Sequence, residues 1–447
     1  MKLFALVLCI TGALAQYNYD EALSASLLFY EAQRSGVLPS DNRIPYRGNC
    51  FVDDGASVGV DLSGGYHDAG DYVKFNFPMA FTNTILAWSL IENEAEFSSA
   101  GQLDYMRKTV KWGTDYFIKC HTSDNELWGQ VGDGNVDHSY WGRCEDWNQG
   151  ARPAWKLTTG APGSDLAGET AAALAAASMA FRSSDSGYAD TCLDHARRLF
   201  EFARNYRGKY SDSISNAGQF YNSWSGYGDE LTWAAIWLYR ATEEASYLDA
   251  AKGFYNEFSM SGTPSQFSWD DKKAGVQLLM AKLTGDGQYR ADVQNYVNYL
   301  LYQARYTPKG LIFLDTWGVL RHAAGASWIC LQAADLGIST TECQNFAKTQ
   351  VHYMLGDVGH SFVCGYGTNP PQRPHHRPSS CPDYPAPCDW NDYNSPNPNP
   401  QVLTGALVGG PNDQDVWNDS RQDYVTNEVT IDYNAAFTAC LAALKRI

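Results

Sequence analysis

The sequence predicts an all-α fold: about twelve antiparallel helices packed as hairpins, with their long loops gathered on one face. Three observations predict it. Apolar residues recur at helical spacing along most of the chain, short and long connections alternate, and β-signals are sparse. The helical segments read as 18–35, 79–94, 101–120, 166–182, 188–206, 229–244, 246–258, 272–285, 287–304, 321–337, 340–356 and 431–445. In the fifth, Ala189, Leu193, Ala196, Phe200 and Ala203 form one stripe, the mark of a helix with a single face to bury. The Ala-rich run Ala171 to Ala180 suits close helix packing.

Connections after even-numbered helices are short, whereas those after odd-numbered helices tend to be long and rich in Gly, Pro, Trp and Asp. Short loops make consecutive helices antiparallel neighbours, so every long loop emerges at the same end. Six hairpins closed into a barrel satisfy this pattern, and so does an open helical array. The Pro-dense stretch Pro370 to Pro400 contains Cys381 and Cys388 and lacks the monotony of a flexible tether. It reads as an ordered loop, which leaves 16–447 as one domain.

Residues 1–15 read as a signal peptide, with Lys2, an apolar run from Leu3 to Ile10, and Ala13-Leu14-Ala15 as a small-residue cleavage site. The expectation is a secreted protein beginning near Gln16. No later segment approaches about twenty uninterrupted apolar residues, which argues against a membrane span. Of eleven cysteines, Cys9 lies in the leader, and the other ten can pair fully in an oxidising compartment. A few buried thiols with one or two bridges fit equally well. The net charge of -17, with no Lys/Arg cluster, repels a phosphate backbone and so excludes nucleic acid as partner. A neutral polymer meets no such objection.

The long loops hold the chemistry. The first contains Gly64-Gly65-Tyr66-His67-Asp68-Ala69-Gly70-Asp71, two carboxylates three apart in a turn eased by glycine. Such a turn aims both into one small volume, where one holds a water and the other removes its proton. A plain acidic surface turn or a calcium loop fits the same residues. The last loop ends Trp417-Asn418-Asp419-Ser420-Arg421-Gln422-Asp423-Tyr424-Val425-Thr426-Asn427-Glu428, just before a helix at about Ile431. Glu428 alone reads as a helix N-terminal acid. Together with the Asp pair it supplies what glycosidic hydrolysis requires, an acid for the leaving oxygen and a base for the nucleophile.

Between them runs Gly367-Thr368-Asn369-Pro370-Pro371-Gln372-Arg373-Pro374-His375-His376-Arg377, a proline-fixed stretch in which His375 and Arg377 alternate toward one side. Zinc is the rival use of these histidines, although adjacent histidines suit one ion poorly and no H-E-x-x-H or paired C-x-x-C appears. Trp128, His138, Trp141, Tyr221, Trp224, Trp317 and Tyr433 recur in or beside the same loops, where flat rings can stack on sugar faces.

On these three motifs the sequence resembles glycoside hydrolase family nine, a family of cellulases from bacteria, plants and invertebrate animals. Asp68 to Asp71, Gly367 to Arg377 and Asp419 to Glu428 match its patterns in the family order, over essentially the whole mature chain. The resemblance implies an (α/α)6 barrel and an inverting mechanism. It casts Glu428 as general acid, Asp71 as general base and Asp68 as positioner of the attacking water. It further implies that Asp419 and His375 support the catalytic site, and that His138, Tyr221, Trp224, Trp317, Arg321, Arg377 and Tyr433 bind glucosyl units.

By the same resemblance Ser225, Gly228, Asp229, Glu230 and Asp270 form a structural calcium site, an oxygen cage of the kind a hard cation prefers. The rival use of Asp229 and Glu230 is as first-turn helix acids. No catalytic cofactor is expected. The carbohydrate-binding module and immunoglobulin-like domain of some relatives find no match, so the expectation is a monomeric, endo-acting enzyme on soluble or amorphous β-1,4-glucan. The sequon Asn418-Asp419-Ser420 lies in the proposed catalytic loop and is expected to stay unglycosylated.

Overall fold

A computed structural model describes residues 17–447; the signal-peptide reading of 1–15 falls outside them. Twelve long helices organise the described chain. They are α1 (Tyr19–Ala32), α2 (Asn76–Glu92), α3 (Leu103–Cys120), α4 (Ser164–Phe181), α5 (Ser186–Asn205), α6 (Gly228–Thr242), α7 (Ala245–Glu257), α8 (Lys273–Thr284), α9 (Gly287–Tyr302), α10 (Val319–Asp335), α11 (Thr340–His352) and α12 (Ile431–Leu444). Each answers to one segment read from the sequence.

The even-numbered helices touch in a closed ring, α2 on α4, α4 on α6, α6 on α8, α8 on α10, α10 on α12 and α12 back on α2. Each odd-numbered helix packs outside an even one. Composition dictates the sorting. All of α12, and all of α4 except Met179, is buried, and a helix apolar around its whole circumference must be enclosed. The outer α5 buries a stripe that includes Ala189, Ala196, Phe200 and Ala203 and leaves the rest to solvent. The ring closes the molecule into an (α/α)6 barrel rather than an open array.

Trp88, Trp233, Trp237 and Trp328, from α2, α6 and α10, plug the barrel with edge-to-face contacts at centroid distances of 5.1 to 5.9 Å. Edge-to-face packing brings the positive ring edge against the negative face of its neighbour. The long loops 33–75, 121–163, 206–227, 258–272, 303–318 and 353–430 each precede an inner helix. The six inner N-termini therefore share one face with all the loops. A small antiparallel sheet on that face joins β1 (Lys74–Phe75), β2 (Leu127–Val131) and β3 (Ala154–Leu157) in sequence order.

Among the described residues two disulfides form, Cys50–Cys144 between the first two long loops and Cys381–Cys388 within the last. Cys120, Cys192, Cys330, Cys343, Cys364 and Cys440 are buried thiols, so the reading with full pairing does not hold. These six behave as small core residues. No helix of the described chain is long and apolar enough to cross a membrane.

Candidate active site

Three main-chain hydrogen bonds tie the three motifs together. The Ile431 amide donates to the Asp68 carbonyl at 2.9 Å, the Arg377 amide to the Gly70 carbonyl at 3.1 Å, and the His375 amide to the Asn427 carbonyl at 2.8 Å. Segments some 360 residues apart in sequence thus share one piece of backbone scaffolding. Gly70 is required by this approach, because a β-carbon there would collide with the His375 carbonyl. Gln33, just past α1, completes the clamp: its amide donates to the Ala69 carbonyl at 2.6 Å and its oxygen meets His376 Nε2 at 2.9 Å.

The clamp places Asp68, Asp71 and Glu428 on the wall of one hollow of about 540 Å³. Asp68 and Asp71 are 2% and 7% exposed. Burial and the neighbouring Asp71 charge push the Asp68 carboxyl well above its ordinary range. Burial and Asp137 raise Asp71, while His138 and Arg377 oppose them. The two carboxyls titrate as a coupled pair, with the Arg377 guanidinium on the Asp71 side. Glu428 is pushed up to about 8, first by burial and then by Asp71. The hollow thus brings a Glu428 raised toward its protonated form together with an ionisable Asp pair. Asp68 Oδ2 accepts from the Tyr221 hydroxyl, whereas its Oδ1 is buried without a protein partner.

His375 is half-buried in the wall, and desolvation pushes it down to about 4. Its Nδ1 faces the Arg421 carbonyl at 2.7 Å and so carries the proton, which leaves Nε2 as an acceptor. His376 turns instead to Gln33 and Ser379. Among the described residues no group of three possible metal ligands includes either histidine.

Trp141, His138, Tyr221, Trp317, Arg321, Arg377 and Tyr433 also line the hollow. Two expectations need correction. Trp128 lies in β2, 5% exposed, with Lys156 over its ring, and belongs to the sheet. Trp224 is 77% exposed and lies outside the hollow's wall. Asp419 stands behind the wall: it accepts from the Gln372 and Arg373 amides at 2.8 and 2.9 Å and from Asn427 Nδ2 at 3.1 Å. It joins the Pro-rich segment to the residue before Glu428. Sequence reasoning missed Phe220, Trp269, Trp390 and Tyr393 in the wall and Asp137 behind it. The Asp137-His138 dipeptide beside Trp141 was the only local sign of the last.

The calcium expectation divides in the same way. Ser225 Oγ donates to the Asp270 carbonyl at 2.5 Å and lies 3.4 Å from Asp229 Oδ1, an oxygen set suited to a hard cation. Asp271, which the sequence reading passed over, is pushed up to about 7 by burial and by Asp229. Glu230 is fully buried: one carboxylate oxygen is 2.7 Å from Lys272 Nζ, and the other has no protein partner. The Gly228 carbonyl already accepts from the Thr232 hydroxyl at 2.7 Å.

The family model described as glycosyl hydrolase family 9 matches residues 19–441. Endoglucanase A of Bacillus pumilus is 45% identical over 97% of this chain and 67% of its own length, so the chain spans about two thirds of that relative. The structure of an endoglucanase from the termite Nasutitermes takasagoensis has a TM-score of 0.94 at 59% identity, over 96% of this chain and 98% of that one. A Clostridium thermocellum endoglucanase complexed with cellotetraose has a TM-score of 0.84 at 35% identity, over 96% of this chain and 71% of that one. On a match that runs through every helix of the barrel, the chain belongs to glycosyl hydrolase family 9 and is a glycoside hydrolase.

Proposed function

We propose that this chain cuts β-1,4-glucosidic bonds within cellulose or a related β-glucan by a single displacement that inverts the anomeric carbon. Asp71 removes the proton of the attacking water, Asp68 holds that water through its free Oδ1, and Glu428 protonates the departing oxygen. The observation that carries this reading is the convergence of Glu428 and the Asp68–Asp71 pair on one hollow, with Glu428 raised by burial and by Asp71. Acid and base are thereby separated by environment. The mutually tilted rings of Trp141, Trp390, Tyr393, Trp317 and Tyr424 give the hollow apolar aromatic walls, as a glucan chain requires. The relative crystallised with cellotetraose supports the same substrate class.

Several further statements belong to the proposal: secretion through a leader at 1–15, one catalytic domain over 16–447, and a monomer. A structural calcium held by Ser225, Gly228, Asp229, Glu230 and Asp270, with Asp271 beside them, joins these. A bound ion would neutralise carboxylates that burial otherwise protonates. Proton NMR of cello-oligosaccharide cleavage decides the mechanism. The first product is expected as the α-anomer, and a β-anomer would overturn inversion. Inversion further requires the Asp71 and Glu428 carboxyls to stand about 6.5–9.5 Å apart in the substrate complex.

A further inference from the structure

We propose that Asp137 is a positioning residue for the hydrolysis: it anchors Arg377 behind the hollow and stands as a fixed negative charge at the back of Asp71. Asp137 is 1% exposed and does not line the hollow, so it touches no substrate. It lies in the short helix Gly134–His138, whose Asp133 cap accepts from the Asn135 and Val136 amides. One carboxylate oxygen accepts from Arg377 Nη1, and the other accepts from the Tyr72 amide at 3.1 Å, the peptide that follows Asp71. Asp71, Asp137 and His138 offer atoms all within 4.8 Å of one another. A buried charge at that distance from a base acts on it through little solvent screening.

The consequence is a division of one cation between two carboxylates. Arg377 is ion-paired with Asp137, so it reaches Asp71 with much of its charge already offset. The groups that face Asp71 are Asp68 from its own loop, Asp137 and His138 from the short helix, Arg377 from the Pro-rich loop, and Glu428 before α12. Asp137 is the one among them that pushes on Asp71 while lying outside the hollow. It keeps the base more basic than Arg377 alone would leave it, and it fixes the backbone that aims Asp71.

This inference rests on Asp71 being the base, so three variants are compared by their pH profiles of kcat/KM on a soluble cello-oligosaccharide. Asp137→Asn removes the charge, and the acid limb is expected to move down by about one pH unit, with the alkaline limb of Glu428 in place. Arg377→Gln removes the cation, and the acid limb is expected to move up. A purely structural role for Asp137 lowers Tm and kcat but leaves the acid limb where it is. Such an unmoved limb, or one that moves the same way in both variants, overturns the proposal. Should Asp137→Asn fail to fold, Arg377→Gln decides alone by whether its acid limb rises. Asp71→Asn separates the two readings: its inactivity leaves the base assignment standing whatever the other variants do, and its full activity removes the base assignment itself.

Discussion

Asp54 and Asp71 lie in the same loop and are equally buried, at 5% and 7% exposure, yet they end in opposite electrostatic states. Burial pushes Asp54 up, but Lys74 Nζ at 2.7 Å and Arg152 Nε at 2.9 Å outweigh it and hold the carboxyl below its ordinary range. Asp71 has no cation in contact. Its carboxylate accepts only backbone amides, and Asp137 intercepts Arg377 before it arrives. Burial by itself therefore does not make a carboxylate chemical. What separates a structural acid from a working one here is whether a cation touches it. Lys74 belongs to β1, immediately before α2, so Asp54 fastens the loop to the barrel while Asp71 is kept free to exchange a proton.

The sharpest test of the contrast is to neutralise a working acid. Glu428→Gln is expected to lower kcat on carboxymethylcellulose by about 10²- to 10⁴-fold, the range for loss of a general acid. Reducing-sugar release measures it, and near-normal activity would erase the distinction. The same change should make the fold more resistant to heat at pH 7. A carboxyl raised to about 8 in the folded state but ordinary when unfolded opposes folding progressively as pH climbs from about 4 toward 8. For the same reason activity that needs the protonated acid should fall as pH rises through about 8.

Breaking the structural acid should reverse the pattern. Lys74→Met leaves Asp54 buried with one partner fewer, which costs about 3–5 kcal/mol in denaturant unfolding. Activity per folded molecule should change little. Asp54, held low by its cations, stabilises the fold above about pH 4, and that contribution disappears as pH drops through its folded value. In Lys74→Met this acid-side loss of stability should shrink. A large fall in kcat without a fall in stability would mean that Lys74 serves the chemistry instead.

The acidic turn at Asp229, Asp270 and Asp271 is a third case, a cluster without a touching cation yet outside the hollow. If it holds calcium, the ion restores the pairing that Asp54 already has. Chelation at pH 7.5 should then cost about 2–3 kcal/mol, the linkage expected for an ion near a hundred times its Kd. The response should weaken toward pH 5, as Asp271 takes up its proton near 7 and competes with the ion. Calorimetry of wild type and Asp229→Asn with and without chelator measures this. An identical melt in all four samples would remove the ion.

How much of this was legible follows from range. All twelve helices showed in the sequence because a 3.6-residue period is a local signal, and the motifs at Asp68, His375 and Glu428 showed because each is a short run. Partners distant in sequence did not show. Nothing near Asp137 announces Arg377, 240 residues later, and nothing near Asp54 announces which lysine turns toward it. The different partners of Asp229 and Glu230 did not show either, because adjacent residues on a helix point about 100° apart. Asp229 faces the loop, while Glu230 enters the barrel to meet Lys272. Trp128 was misread for the reverse reason: its loop surroundings hid a strand whose partner begins 26 residues further on.

The smallest expected effect tests the contrast within the Asp pair. Tyr221→Phe removes one hydroxyl and keeps the ring, which packs on Phe75 and Trp269 at 5.1 and 4.9 Å, so no cavity opens. Asp68 then loses the only side-chain donor that favours its ionised form. Its affinity for a proton rises, and the pair must shed that proton at higher pH before Asp71 can accept one from water. The acid limb of kcat/KM should therefore move up, opposite to Asp137→Asn, with kcat lower by about tenfold, the worth of one hydrogen bond to a charged group. KM should hardly change, because the hydroxyl is already committed to Asp68 and has little to offer a sugar. A rise in KM with an unmoved acid limb would show instead that Tyr221 acts on the substrate, and that Asp68 is held in its place by burial alone.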